Sequence, residues 1–315
     1  MVNSINQFPV RIFAVIVLYK MQPSESTAFR TLRAALPGIE SGQADIKILL
    51  YDNTPGGQAV GVLPVGVQYN ADFENGGLAT AYNYALEIAH KEGFDWLLTL
   101  DQDTSLPIDF LCKLGHAAAF VAPMHDVAAI APCISSDGRA LSPFTLMKRW
   151  TLTKNIPDWF VGIPLEDVYA VNSASTIKVS ALRAVGGYDP RFNLDFSDLA
   201  IYHLLHCQGL SVFVAGNIHV EHEVSVYDMR NRSTPSRYED TCRAEEAAYD
   251  EWMGSVAGVV LTARIIHRLL YQLWRNKGTL PHFRIAFKYL CRRLFYSRKH
   301  RIESWKQSVS RRSAV

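Results

Sequence analysis

The chain lacks a Cys-x-x-Cys pair, an internal repeat, a low-complexity tract and an apolar run long enough to cross a bilayer. Its five cysteines, Cys112, Cys133, Cys207, Cys242 and Cys291, are odd in number and scattered. That pattern argues against a disulfide framework or a zinc cluster and fits a reducing compartment with inert or buried thiols. In the C-terminal segment the longest uncharged run, Trp252 to Ala263, is 12 residues, short of the ~20 that a spanning helix needs. A secretory signal is not expected either. Phe13 to Tyr19 is apolar, but only Arg11 precedes it as a cation and no small-residue cleavage pattern follows, so a buried first strand is predicted. Hydrophobic residues make up 49% of the 315 positions and charged ones 20%, a globular balance.

Acid is nearly absent from one end. From Ser255 onward there are 14 Lys or Arg against one acid, Glu303, while the first 254 residues hold 18 basic and 29 acidic residues. The total of +2 thus conceals about −11 beside about +13, the mark of a body with one task and a tail with another. Two domains are expected, 1–254 and 255–315. In the tail, Ile265, Ile266, Leu269, Leu270, Leu273 and Trp274 mark one helical face against Arg264, Arg268 and Arg275. A second stretch sets Phe283, Phe287, Leu290 and Leu294 against Arg284, Lys288 and Arg292. Such a basic amphipathic pair suits a membrane interface, with its cations toward anionic lipid. The other reading packs it on the acidic body. No nucleic-acid partner is expected, because that body would repel a duplex and no reader motif is present.

The first half alternates strand and helix patterns. Strands are predicted at Arg11–Tyr19, Ile46–Tyr51, Gly66–Asn70 and Phe94–Leu100, and helices at Glu25–Leu36 and Gly77–Lys91. This alternation predicts an α/β fold, a mainly parallel sheet with helices on both faces, whose ligands bind beyond the carboxyl ends of the strands. Tyr19, Asp52, Asn53, Asn70 and Asp101 all fall at such ends. From Pro132 to Asp167 the pattern weakens around Trp150, Trp159 and Phe160, leaving either a mobile loop near the site or a hairpin covering the core. Val168–Lys178 returns to strand character. Short helices follow at Ser180–Val185 and Phe196–Cys207, then late strands at Leu210–Val214 and Ile218–His222.

Asp101-Gln102-Asp103 follows the apolar run Trp96–Leu100 and precedes a predicted helix start at Ser105-Leu106-Pro107. Two carboxylates at a strand end suit a hard divalent cation that keeps positions open for water and substrate oxygens. By itself such a pair is equally at home capping a helix.

The set as a whole resembles the family 2 glycosyltransferases of GT-A fold, specifically their rhamnosyltransferase-like branch. It comprises Val17-Leu18-Tyr19-Lys20, Asp52-Asn53-Thr54, Glu74-Asn75-Gly76-Gly77-Leu78-Ala79 with Asn83, Asp101-Gln102-Asp103, Gly186-Gly187-Tyr188-Asp189, and Asn193 to Asp198 closing with Gly209. The resemblance spans roughly residues 10 to 225 and implies a Rossmann-like GT-A body followed by the amphipathic helical tail. It implies a nucleotide-sugar site at Tyr19, Asp52, Asn75, Gly76, Asn83, Asp101 and Asp103. Asp103, Asp101 and His222 (or neighbouring His219) would hold Mg²⁺ or Mn²⁺, Asp198 would be the general base, and Asp195 would orient the acceptor. Three positions depart from the branch: Ala200 in place of glutamate, Leu204 in place of arginine, and Ala174 in place of the glycine of a Ser-Gly pair. The implied activity is inverting transfer of a sugar, most simply rhamnose from dTDP-rhamnose, to a saccharide or lipid-linked saccharide at the cytoplasmic face of a bacterial membrane. Two alternatives remain. Nucleotidyl transfer shares the sheet and the carboxylate-held metal but lacks a Gly-rich basic signature near the first strand. A non-catalytic saccharide-assembly scaffold would account for Ala200 and Leu204.

Overall fold

The computed structural model describes residues 10–38, 44–147, 152–222, 234–275 and 280–312, and Trp150 lies outside them. Two compact units emerge, one of residues 1–145, 155–189 and 197–223, the other of 146–154, 190–196 and 224–315. This division differs from a single cut at 254/255. The acidic helix before that point groups with the basic helices after it.

The first unit opens with β1 (Val10–Leu18), α1 (Thr27–Ala35), β2 (Ala44–Asp52), β3 (Val67–Ala71), α2 (Gly77–Lys91) and β4 (Trp96–Asp101). Then come β5 (Thr104–Ser105), α3 (Phe110–Val121), β6 (Val127–Ser136) and β7 (Arg139–Ser142), followed by β8 (Phe144–Met147) and β9 (Leu152–Asn155), of which 146–147 and 152–154 group with the second unit. It closes with β10 (Val161–Gly162), β11 (Val168–Tyr169), β12 (Thr176–Lys178), α4 (Val179–Ala184), α5 (Ser197–Cys207) and β13 (Ser211–His222). The main sheet runs β10-β13-β6-β12-β4-β1-β2-β3, with β5 on β13 and β7 on β6. Its long ladders, β1 with β2 and β4, β2 with β3, and β6 with β13, are parallel. The antiparallel ladders, including β12 between β4 and β6, are short.

Period-two alternation sorts the core into two faces. Ile12, Ala14, Ile16 and Leu18 join Leu32 of α1 and Phe110 and Leu114 of α3 in one apolar cluster. Phe13, Val15 and Val17 are equally buried on the opposite pleat, which α2 covers with Ala81, Tyr82, Ala85 and Ala89. Ser26 caps α1, its Oγ accepting from Phe29 N at 3.2 Å.

Three expectations need correction. Ser105-Leu106-Pro107 does not start a helix. Thr104–Ser105 instead pairs with β13, His222 opposite Thr104, and α3 begins at Phe110. Val168–Lys178 is two short strands separated by a turn in which Ala174 has φ +60°. The two late strands are one strand, β13, with a register shift between Ala215 and His219. At that bulge a Cβ on Gly216 would lie 2.3 Å from the Phe160 carbonyl oxygen, so only glycine fits. The aromatic stretch from Pro132 to Asp167 carries β7, β8 and β10, and Trp159 in it is exposed.

The second unit holds α6 (Pro235–Trp252), α7 (Gly254–Arg275), α8 (Leu280–Phe295) and α9 (Arg298–Arg312), with α6 packed against the other three. Thr234 caps α6, with Pro235 in its first turn, where a missing N–H costs nothing. The acids of α6 collect the tail's cations: Glu239 takes Lys288, Glu245 takes Arg268, Glu246 takes Arg292, and Asp250 takes Arg293 and Arg301. Arg264 donates to the Tyr249 hydroxyl. Arg264, Arg268, Lys288 and Arg292, expected to form the outer polar faces, each bind a side chain of α6, although Arg264 and Lys288 stay exposed. Arg275 lies outside the described side chains, and Arg284 is exposed. Among the described residues no helix is long and apolar enough to cross a membrane.

Candidate active site

The carboxyl ends of β1, β2 and β4 stand side by side. Leu18 is opposite Asp52 and Val17 opposite Asp101, so the two aspartates flank β1 two strand spacings, roughly 10 Å, apart. They share pleats with residues of opposite parity and so begin on opposite faces of the sheet.

Asp52 is fully buried. Its Oδ1 accepts from Thr54 N at 2.9 Å, closing an Asx-turn. Its Oδ2 accepts from the Tyr69 hydroxyl at 2.6 Å and from Gln58 Nε2 at 3.1 Å. Burial alone would raise the Asp52 carboxyl, but the bonds from Thr54, Tyr69 and Gln58 outweigh it and hold it below its usual value. Burial and the bond to Asp52 push the Tyr69 phenol to about 12.

Asp101 occupies a different setting. Its Oδ2 accepts from Ser173 Oγ at 2.5 Å, and the Tyr82 hydroxyl points at its Oδ1 from 3.5 Å. Pairing of β5 with β13 brings His222 alongside, with Nε2 3.7 Å from Asp101 Oδ2 and Nδ1 3.3 Å from Asp103 Oδ1. His219, on the other pleat of β13, is exposed and pairs with Cys133 of β6, so His222 is the histidine that reaches the aspartates. Gln102, between them, faces the opposite way. Its side-chain oxygen accepts from Tyr19 N at 2.8 Å, and its carbonyl accepts from Ser26 Oγ and Ala28 N. It therefore fixes the ends of β1 and α1 to the end of β4.

Among the described residues no three His, Cys, Asp or Glu side chains already stand in a metal-holding arrangement. By donor type alone, Asp101, Asp103 and His222 are nevertheless residues that bind divalent ions. Two carboxylates and one imidazole suit Mn²⁺ and, less usually, Mg²⁺. The two contacts of His222 run from different ring nitrogens, 3.7 Å from Nε2 to Asp101 and 3.3 Å from Nδ1 to Asp103, so only one of the two nitrogens could join the carboxylates on a single ion.

Asp198 lies in the first turn of α5, half-buried, with Oδ1 accepting from Leu199 N at 2.8 Å. Tyr82, which points at Asp101, also feels the charge of Asp198. Burial first, then the charges of Asp101 and Asp198, raise the Tyr82 phenol well above its usual value. Asp101 thus stands between His222 on one side and the buried Tyr82 on the other. Asp195 belongs to the second unit, where both its oxygens are engaged, by Arg237 and by Thr241, each at 2.7 Å.

Two further expectations change. Asn83 clasps the main chain of Tyr188 through both amide atoms, each at 2.8 Å, so its polar groups fasten the chain that follows the Gly186-Gly187 turn. A Cβ on Gly187 would meet Asn83 Oδ1 at 2.5 Å. At the start of α2, Asn75 (φ +55°) and Gly76 form a tight turn, but Asp72 already accepts from Glu74 N and Gly76 N at 3.1 and 2.8 Å. Tyr19 is exposed at the rim, with Lys20 Nζ 5.1 Å from its ring centre. Tyr69, Gln58, Tyr82, Ser173, Asp72 and Gln102 went unremarked as supports, since each acts through a partner distant in sequence.

No family model and no curated protein sequence matches the chain. Solved structures do. GalNAc-T7 with UDP, GalNAc and Mn²⁺ aligns over 78% of this chain at 16% identity, with a TM-score of 0.52. S. aureus TarS 1-349 in complex with UDP-GlcNAc aligns over 96% of this chain and 92% of its own at 12% identity, also with a TM-score of 0.52. The match covers only 49% of the GalNAc-T7 chain. At these identities the likeness concerns the fold alone: an α/β body of GT-A type with a mainly parallel sheet, followed by C-terminal helices.

Proposed function

We propose that this chain is a metal-dependent inverting glycosyltransferase using a nucleotide-activated sugar. The observation carrying the reading is the convergence of Asp101, Asp103 and His222 at the end of β4; the charge of Asp198, in the first turn of α5, is felt at Tyr82, which points at Asp101. Asp103, Asp101 and His222 would hold Mg²⁺ or Mn²⁺, which offsets the charge of a departing nucleoside diphosphate. Asp52, locked by Tyr69 and Gln58, offers a preorganised acceptor to the nucleoside. Asp198 takes the acceptor hydroxyl's proton on a carboxylate oxygen as that hydroxyl attacks, a role typically worth 10²–10⁴ in rate. Asp195, with both oxygens occupied, is better suited to holding its loop on α6.

The finer reading is rhamnose from dTDP-rhamnose, passed to a lipid-linked saccharide at the inner face of a bacterial membrane. It rests on the Asp-Gln-Asp and Asn-Gly-Gly-Leu-Ala blocks. The similar structures hold UDP or UDP-GlcNAc, so both nucleotide classes belong in the test. A thermal-shift screen with Mn²⁺ would compare dTDP-rhamnose, UDP-GlcNAc and UDP-GalNAc, since a ligand binding the native state raises its melting temperature. Selective stabilisation by dTDP-rhamnose is expected. Stabilisation by a UDP-sugar alone would reassign the donor. Silence toward every donor would favour the scaffold reading, which Ala200, fully buried with no charge to offer, motivates.

A further inference from the structure

The helical unit is built inside out. Its cations turn onto α6, while large apolar side chains turn to solvent. On α7, Leu270, Leu273 and Trp274 are 61%, 62% and 79% exposed, and on α8, Phe287, Leu294 and Phe295 are 51%, 61% and 78% exposed. Leu270 lies three and four residues before Leu273 and Trp274, and Phe287 lies seven and eight before Leu294 and Phe295, which keeps each set on one side of its helix. Apolar faces of this extent are unusual on soluble monomers and mark an interaction surface. Charge decides between its occupants. Five of the 14 Lys and Arg after residue 254 pair with acids of α6, yet residues 235–315 together still carry 16 Lys and Arg against seven acids. A second copy meeting this face would bring like charges together, whereas anionic headgroups would complement them. Trp274 and Phe295 lie in the last turns of their helices, and large aromatic rings favour the interface between water and acyl chains.

We infer that the outward face of α7 and α8 is a seat on an anionic lipid surface, entered by Leu270, Leu273, Trp274, Phe287, Leu294 and Phe295. This deepens the membrane placement proposed above. Binding to vesicles needs no sugar transfer, so either reading can fail alone.

The full chain should co-sediment with phosphatidylcholine vesicles containing roughly a third phosphatidylglycerol, and at least about tenfold more weakly with pure phosphatidylcholine. The pair Leu270→Gln with Trp274→Gln, and the pair Phe287→Gln with Phe295→Gln, should each weaken binding by about tenfold or more. Their melting temperatures should stay near wild type, because these side chains are exposed. A gentler variant guards against misfolding: brominated acyl chains should quench tryptophan emission in wild type, and Trp274→Phe should remove most of that quenching. Equal binding to neutral vesicles, no binding at all, or a wild-type dimer that the glutamine variants abolish would each overturn the assignment.

Discussion

At Asp52, burial and hydrogen bonding act in opposite directions, and the bonds win. Its folded pKa lies below the unfolded one, so its contribution to stability is complete above the unfolded value and is lost as pH falls through the folded one. Tyr69→Phe removes the 2.6 Å bond and should cost about 1.5–3 kcal/mol near pH 7, as for bonds to a charged group. The gap should shrink below about pH 4. Urea unfolding at both pH values checks this, and a pH-independent gap would deny the linkage. A second residue-scale test falls at Ala174, where the branch usually has glycine. With φ +60° the backbone there costs an alanine about 1–2 kcal/mol. Replacement by glycine relieves that, but loses a fully buried methyl worth about 0.8 kcal/mol and adds unfolded-chain entropy of about 0.5–1 kcal/mol. Ala174→Gly should therefore be within about 1 kcal/mol of neutral. Ala174→Val, overpacking a site with no room, should lose more than about 2 kcal/mol. Equal melting temperatures for the two would contradict the geometry. The ligand-type aspartates were legible because carboxylates at strand ends follow from apolar runs. Their partners, Tyr69, Gln58, Ser173 and Tyr82, were not, because bonds spanning 6 to 72 residues with no fixed periodicity exist only once the sheet and its loops are built.

Among elements, β5 decides most. Its second residue, Ser105, was expected to open a helix with Leu106 and Pro107. Instead they pair with β13 and bring His222 beside Asp103. No local signal specifies that pairing, as the strands lie a hundred residues apart. The tail shows the complementary case. Periodicity correctly marked two amphipathic helices but not which face would meet a partner, because α6 was counted with the acidic body. The buried Asp250 is the test of that association. Its carboxylate holds Arg293 and Arg301, both nearly inaccessible. Asp250→Ala strands two guanidinium groups and should cost about 3–5 kcal/mol, seen as early loss of helical signal on urea titration. Loss below about 1 kcal/mol would mean that the network is solvated and unimportant.

For the whole molecule, the alternation of strands and helices yielded the parallel core, β4-β1-β2-β3, because a buried parallel strand carries a continuous apolar run. The antiparallel insertion of β12 and the grouping of 190–196 with the C-terminal helices carry no such signature. Every part of the proposed chemistry still depends on the convergence at the end of β4, and on Asp103 most of all, since Asp101 is already tied to Ser173. Asp103→Ala, assayed with the donor singled out by thermal shift and with Mn²⁺, is the most direct test. Transfer should fall at least ~10³-fold, the scale of losing one preorganised electrostatic contact to the transition state, with the melting temperature unchanged. Full transfer by Asp103→Ala in the presence of a chelator would contradict the account.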